Sequence, residues 1–147
     1  MIGRSNLPRD SSDQIADGIG AVIRSYLVQC PNARLLLLGL LPQGSAMDDP
    51  IRIKIADINR QISMLENDRV HVMDLSAKYL HPEGTLNDYL INERGDLTGP
   101  GYQVLTDCLE PVIQKNFPTA IREHPSLFAT TPPPPAPSAE SLAAATK

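Results

Sequence analysis

Two carboxylates three residues apart, Glu93 and Asp96, stand in the stretch NERGDLTGPGY, residues 92 to 102. Paired carboxylates are the usual equipment for acid–base work on a glycosidic bond or for holding a cation. Here the set is thin. Asp88 is the one further acidic side chain close by, and no histidine or cysteine joins it. Three such oxygens would hold a divalent ion weakly, and a solvated acidic loop is the plainer reading. The three histidines are spread along the chain. His71 falls inside an apolar run and reads as a packed or edge residue, His81 sits in the loop YLHPEGTL, and His124 sits in a Pro-flanked stretch. The default for all three is core or surface; His81, in a loop before the carboxylates, is the best placed to act. No metal site and no cofactor site is expected. Cys30 and Cys108 lie in apolar helical positions outside any CxxC or Cys/His cluster, and read as buried thiols of a reducing, cytoplasmic compartment.

These residues need a scaffold. The chain has 147 residues, with 41% apolar and 20% charged content, which fits one globular domain with a real core. A net charge of −4 with the basic residues scattered singly argues against nucleic acid or an anionic membrane as partner. No apolar run approaches the about 18 residues of a membrane span. The start, MIGRSNLPRD, lacks the basic-then-apolar layout of a signal peptide.

Periodicity places three helices. Ile15, Ile19, Val22, Ile23, Tyr26, Leu27 and Cys30 step by threes and fours, so residues 12 to 30 form an amphipathic helix capped by Ser11 with Gln14 and ended by Pro31. Ile51, Ile55, Ile58, Ile62 and Leu65 mark a second, with Asp49 as N-cap and Pro50 as first residue. Tyr102, Leu105, Leu109 and Val112 mark a third, opened by Thr98. Between them the runs ARLLLLGLL (33 to 41) and RVHVMDL (69 to 75) read as parallel strands covered on both faces. The fold class is α/β, a partial doubly wound parallel sheet. Two strands make a poor sheet, and the first helix follows only MIG, so the N-terminal strands are expected to be missing. From about Ala129 the chain turns to Pro and Ala, with five of the 14 prolines, and is expected to be disordered. Its run Pro132 to Pro135 favours polyproline II and suits an SH3 or WW partner; a solvated tail is the alternative. The domain reading is therefore 1–128 and a 129–147 tail.

Four stretches together resemble the SGNH (GDSL-like) hydrolases, in the branch of the platelet-activating-factor acetylhydrolase catalytic subunits. IGRSN is similar to that family's Gly-x-x-Asn block, ARLLLLGLLPQG to its fourth strand, DPIRIKIADINRQI to the next helix with Asn59 in its Ile-Asn pair, and VMDLSAKYLHPEGTLNDYLINERGDLTGPGY to its fifth strand and final block. The resemblance covers roughly residues 2 to 115 and implies the C-terminal part of a three-layer, flavodoxin-like esterase domain acting on short-acyl or acetyl esters. In such enzymes a serine attacks the ester, a histidine three residues after an aspartate removes its proton, and fixed N–H donors hold the oxyanion, each worth about 3 kcal/mol. By resemblance, Gly3 and Asn6 match the oxyanion block, Glu93 stands at the aspartate position and Asp96 at the histidine position. The serine block has no counterpart: Ser5, Ser11, Ser12, Ser45, Ser63 and Ser76 lack its context.

An aspartate, with an ordinary pKa near 3.9 against about 6.5 for histidine, is a poor base for a serine proton. Beside Glu93, either one of the two carboxyls rises in pKa or the pair turns to solvent. The expectation is a chain of this esterase class that hydrolyses nothing alone. The alternatives are an esterase half completed by an N-terminal segment, acting on a small ester and assembling as a homo-oligomer, or a non-catalytic scaffold presenting its Pro-rich tail.

Overall fold

The computed structural model describes residues 2–117; the expectations for His124 and for the 129–147 tail lie outside the described residues. Contacts divide the chain at Val112, and of the second part only residues 113 to 117 are described. The order is α1 (Ser12–Gln29), β1 (Leu35–Leu38), α2 (Pro50–Ser63), β2 (Val70–Met73) and α3 (Gly99–Asn116), with short 3-10 turns at Arg4–Asn6 and Ser76–Tyr79. The architecture is α/β, with three helices around one small parallel sheet.

Each helix begins where its capping chemistry dictates. The Ser11 hydroxyl accepts from the Gln14 N–H while the Gln14 amide accepts from the Ser11 N–H, closing a capping box. The Asp49 carboxylate accepts from the Ile51 N–H at 3.0 Å, with Pro50 in the first turn. The Thr98 hydroxyl accepts from the Gly101 N–H at 3.2 Å at the head of α3. The third helix lies close to the preceding loop: a Cβ on Gly101 would stand 2.0 Å from the Leu90 carbonyl oxygen, so only glycine fits there.

The strands pair in parallel with Leu35 opposite Val70 and Leu38 opposite Met73, and α2 makes the crossover such a pair requires. Leu37 packs with Ile15, Ile19, Ile55, Ile58 and Ile62, the cluster formed by α1 and α2. Met73 packs against the cluster of Leu41, Leu75, Tyr79, Leu86 and Ile91, against which Val104, Leu105 and Cys108 of α3 also pack. Leu37 and Met73 differ by one step in the register and so face opposite sides of the sheet.

Three expectations need correction. The apolar runs of nine and seven residues yield only four paired residues each, and apart from Val70 these are half-buried rather than enclosed. Among the described residues the sheet has two strands, so their edges are not covered by neighbours. The two cysteines are half-buried, not buried, and Cys30 follows the helix end as its C-cap.

A single side chain occupies the backbone just past the end of β1. Asn59, 4% exposed on α2, donates from Nδ2 to the Leu40 carbonyl at 2.9 Å and accepts from the Leu40 N–H at Oδ1 at 2.8 Å. It serves both of Leu40's backbone groups. The same Nδ2 reaches Asp74 Oδ2 at 3.2 Å and Ser76 Oγ at 3.3 Å, just past the end of β2. The outer edge of β2 is also closed by its own neighbours. The Val70 N–H donates to Asn67 Oδ1 at 3.2 Å, and the Val72 N–H donates to the Glu66 carboxylate, which also bonds His71 Nδ1 at 2.9 Å. The Val72 N–H above all, and then His71, hold the Glu66 carboxyl below the ordinary glutamate range. His71 is thus an edge residue, one of the two positions its sequence allowed.

Replacing Asn59 by leucine keeps the heavy-atom count and branching but leaves the buried Leu40 N–H without a partner and its carbonyl with only the Ser76 hydroxyl at 3.5 Å. The expected cost is about 3 kcal/mol, read as a lower urea midpoint at unchanged slope.

Candidate functional site

The residues of interest reach one place through two turns of the same design. In the first, Leu80 pairs with Leu86, the His81 N–H donates to the Thr85 carbonyl at 2.9 Å, and the Gly84 N–H donates to the His81 carbonyl at 2.8 Å. In the second, Ile91 pairs with Leu97, the Asn92 N–H donates to the Asp96 carbonyl at 3.0 Å, and the Gly95 N–H donates to the Asn92 carbonyl at 2.8 Å. The sequences LHPEGTL and INERGDL carry this repeat in a shared glycine and closing leucine, a signal the sequence reading passed over. Asp96 therefore occupies in its turn the position that Thr85 holds in the other.

The second turn is also tied by the Asn92 side chain, whose Oδ1 accepts from the Arg94 and Asp96 N–H groups at 3.0 and 2.9 Å. Gly95 has a φ of +79° and is buried against Gln43, whose Cγ would lie 2.8 Å from an added Cβ. Both the turn and the contact require glycine there.

The Gly3–Asn6 block meets this turn through Arg4, a residue the sequence reading did not single out. Gly3, with a φ of +90°, opens the 3-10 turn Arg4–Asn6. The Arg4 guanidinium donates to Asp96 Oδ1 at 2.6 Å and to the Arg94 carbonyl. Asn6 does not share in that contact. Its Nδ2 donates to Asp10 Oδ2 at 2.6 Å, so the amide proposed by resemblance as an oxyanion donor is engaged by a neighbouring carboxylate. Lys54 fixes the segment that follows, donating from Nζ to the carbonyls of Leu7, at 2.7 Å, and Asp10.

The two carboxylates part company. Arg4 first, then the Asn92 amide, hold the Asp96 carboxyl below the ordinary aspartate range. Asp96 has a cation in contact, while Glu93 is exposed with no described side chain bonded to it. Glu93 contributes its backbone: its carbonyl accepts from the Gly44 N–H at 3.0 Å. Among the described residues no three His, Cys, Asp or Glu side chains gather as a metal site, and the Asp96 carboxylate is committed to Arg4 and Asn92. His81 is exposed in the first of the paired turns. An ionised aspartate locked to arginine can orient and shield, but it accepts a serine proton poorly.

A groove of about 810 Å³ runs along α2 beside β2, lined by Ile53, Ala56, Asn59 and Ser63 on the helix and by Val72 and Asp74. It is separate from the Arg4–Asp96 contact, since neither residue lines it.

Relatives of known kind are consistent with the resemblance of the ordered blocks to the platelet-activating-factor acetylhydrolase branch. The chain is similar to platelet-activating factor acetylhydrolase IB subunit alpha2 of Gallus gallus, 30% identical over 108 residues, which is 72% of this chain and 47% of that protein. It is 26% identical over 113 residues to subunit alpha2 of Rattus norvegicus, covering 76% of this chain and 49% of that one. To subunit alpha1 of Homo sapiens it is 26% identical over 105 residues, with 70% and 45% covered. The chain spans about half the length of the curated relatives it matches. No protein-family model matches it. No helix among the described residues is long and apolar enough to cross a membrane.

Replacing Arg4 by methionine removes the main cause of the low Asp96 pKa. The Asp96 carboxyl 13C titration is expected to move up toward the ordinary aspartate midpoint. The sign for stability follows from the depressed folded value. The pair's contribution is fully present above the unfolded aspartate pKa and is lost as pH falls through the folded one. Arg4→Met should therefore weaken the protein at neutral pH and leave its stability at the acid extreme unchanged.

Proposed function

We propose that this chain is an esterase scaffold of the SGNH type whose base position has been converted into an ion pair, so that the chain alone does not hydrolyse esters. The supporting observation is the contact between Arg4, inside the Gly-x-x-Asn block, and Asp96, at the position where the resemblance puts a histidine. A histidine base must be neutral and free to accept a proton near pH 7. Asp96 is held ionised by its partner and cannot cycle that proton. By the same resemblance, Gly3 and Asn6 are the remnant of the oxyanion site and Glu93 the remnant of the orienting acid. The doubly wound parallel sheet, the short-acyl ester substrate class, a cytoplasmic location and homo-oligomeric assembly are parts of this reading. The relatives' printed names, as acetylhydrolase subunits, support the substrate class and the assembly.

A second reading is favoured by the engaged but surface-accessible Asn6. In it, an N-terminal segment carrying the nucleophile completes the site, and Asn6 exchanges Asp10 for the oxyanion. A third role, presenting Pro132–Pro135 to an SH3 or WW domain, rests on the sequence of the tail alone.

The purified chain is expected to give no turnover of p-nitrophenyl acetate above the buffer rate and no labelling by a fluorophosphonate. Stoichiometric labelling of one serine would overturn the first reading. Turnover that appears only when the N-terminal half of the chicken relative is added, and that is lost in Asn6→Ala, would establish the second.

A further inference from the structure

Arg52 is the one arginine among the described residues that is nearly enclosed, at 8% exposed, and no acidic side chain forms an ion pair with it. Its three donor positions all go to backbone carbonyls. Nε donates to Gln43 at 3.1 Å, Nη1 to Gly84 at 3.0 Å and Nη2 to Gly44. Burying a cation is costly, and desolvation lowers the Arg52 pKa against the nearby charge of Asp49. A planar fork with five N–H donors can bind three carbonyls on two loops at once, which an ammonium on a flexible stem cannot copy.

Those loops lead to the candidate site by two routes. Gly84 is the glycine of the first turn. Gln43 and Gly44 hold the second: the Gly44 N–H donates to the Glu93 carbonyl at 3.0 Å, and the Gln43 side chain packs against Gly95. The guanidinium thus fastens the loop after β1 to one turn directly and to its twin through one further peptide.

We infer that Arg52 is the positioning residue of the site: it locks the two turns in register, and so sets where Asp96 stands to meet Arg4. It touches neither Arg4 nor Asp96 and acts through the Gln43–Gly44 backbone. Its significance rests on the reading of residues 93–96 as the site's last block. Its measurements need no substrate, so an absence of esterase activity leaves it standing.

Arg69 supplies the matched control. Its guanidinium also serves carbonyls, those of Leu27, Cys30 and Ala33, but at the opposite end of the sheet. Arg52→Lys should raise amide hydrogen exchange at Gly44 and Gly95 about tenfold beyond any rise along α1. It should also move the Asp96 carboxyl titration upward. Arg69→Lys should do neither. In the unsubstituted protein, the Gly44 and Gly95 amides should open together with the same urea dependence, a measurement that stands even where the variant does not fold. A uniform rise across α1 and the turns in Arg52→Lys, an equal effect of Arg69→Lys, or separate urea dependences for the two amides would each overturn the assignment.

Discussion

A buried amide ties the ends of the two strands of this protein to the helix that connects them. Asn59 satisfies both backbone groups of Leu40 and reaches Asp74 and Ser76 beyond the second strand. Without a side chain that both donates and accepts, those groups would need a further ladder or would be left unpaired in a low-dielectric interior, at about 1–3 kcal/mol each. Because Asn59 sits on α2, the same contacts fix the crossover helix to the ends of both strands it connects. Everything that follows the strands, including the loop at Gln43 and the paired turns, leaves from that fixed point.

From there the structure is organised by cations that bind backbone oxygen. Arg52 gathers the loop after β1 and the first turn, Lys54 the segment after the Gly-x-x-Asn block, and Arg69 the far end of the sheet. Arg4 differs in kind, because its partner is a carboxylate. Its side chain is 33% exposed and that of Asp96 52%, so solvent screens the pair and its worth to folding is small. Its effect is chemical: it lowers the pKa of Asp96. In the proposed reading, the capacity for proton transfer is given up at that position while the turn that carries the residue stays in place.

Much of the scaffold was legible in the chain. The Ser11–Gln14 box and Asp49–Pro50 set the starts of two helices, and periods of three and four gave the buried Ile55, Ile58 and Ile62 of α2 and Ile15 and Ile19 of α1, though Val22 and Tyr26 of the expected α1 face are exposed. Strand lengths were not legible. A run such as ARLLLLGLL is apolar enough to pair throughout, yet the strand spans only Leu35–Leu38, and Leu40 is bonded to Asn59 instead. The two-sided enclosure expected from continuous apolar runs also failed, since enclosure depends on neighbours that a two-stranded sheet does not have.

The candidate site divides along the same line. Sequence by itself determined the types and spacing of Gly3, Asn6, Glu93 and Asp96, and that a carboxylate stands where the resembled pattern has an imidazole. It could not show that Arg4 would meet Asp96 or that Arg52 would bind two loops. Those are contacts between residues as far apart as 92 positions along the chain. Local propensity carries no information about them, and they exist only once the sheet, the crossover helix and the two turns have brought distant backbone into hydrogen-bonding range.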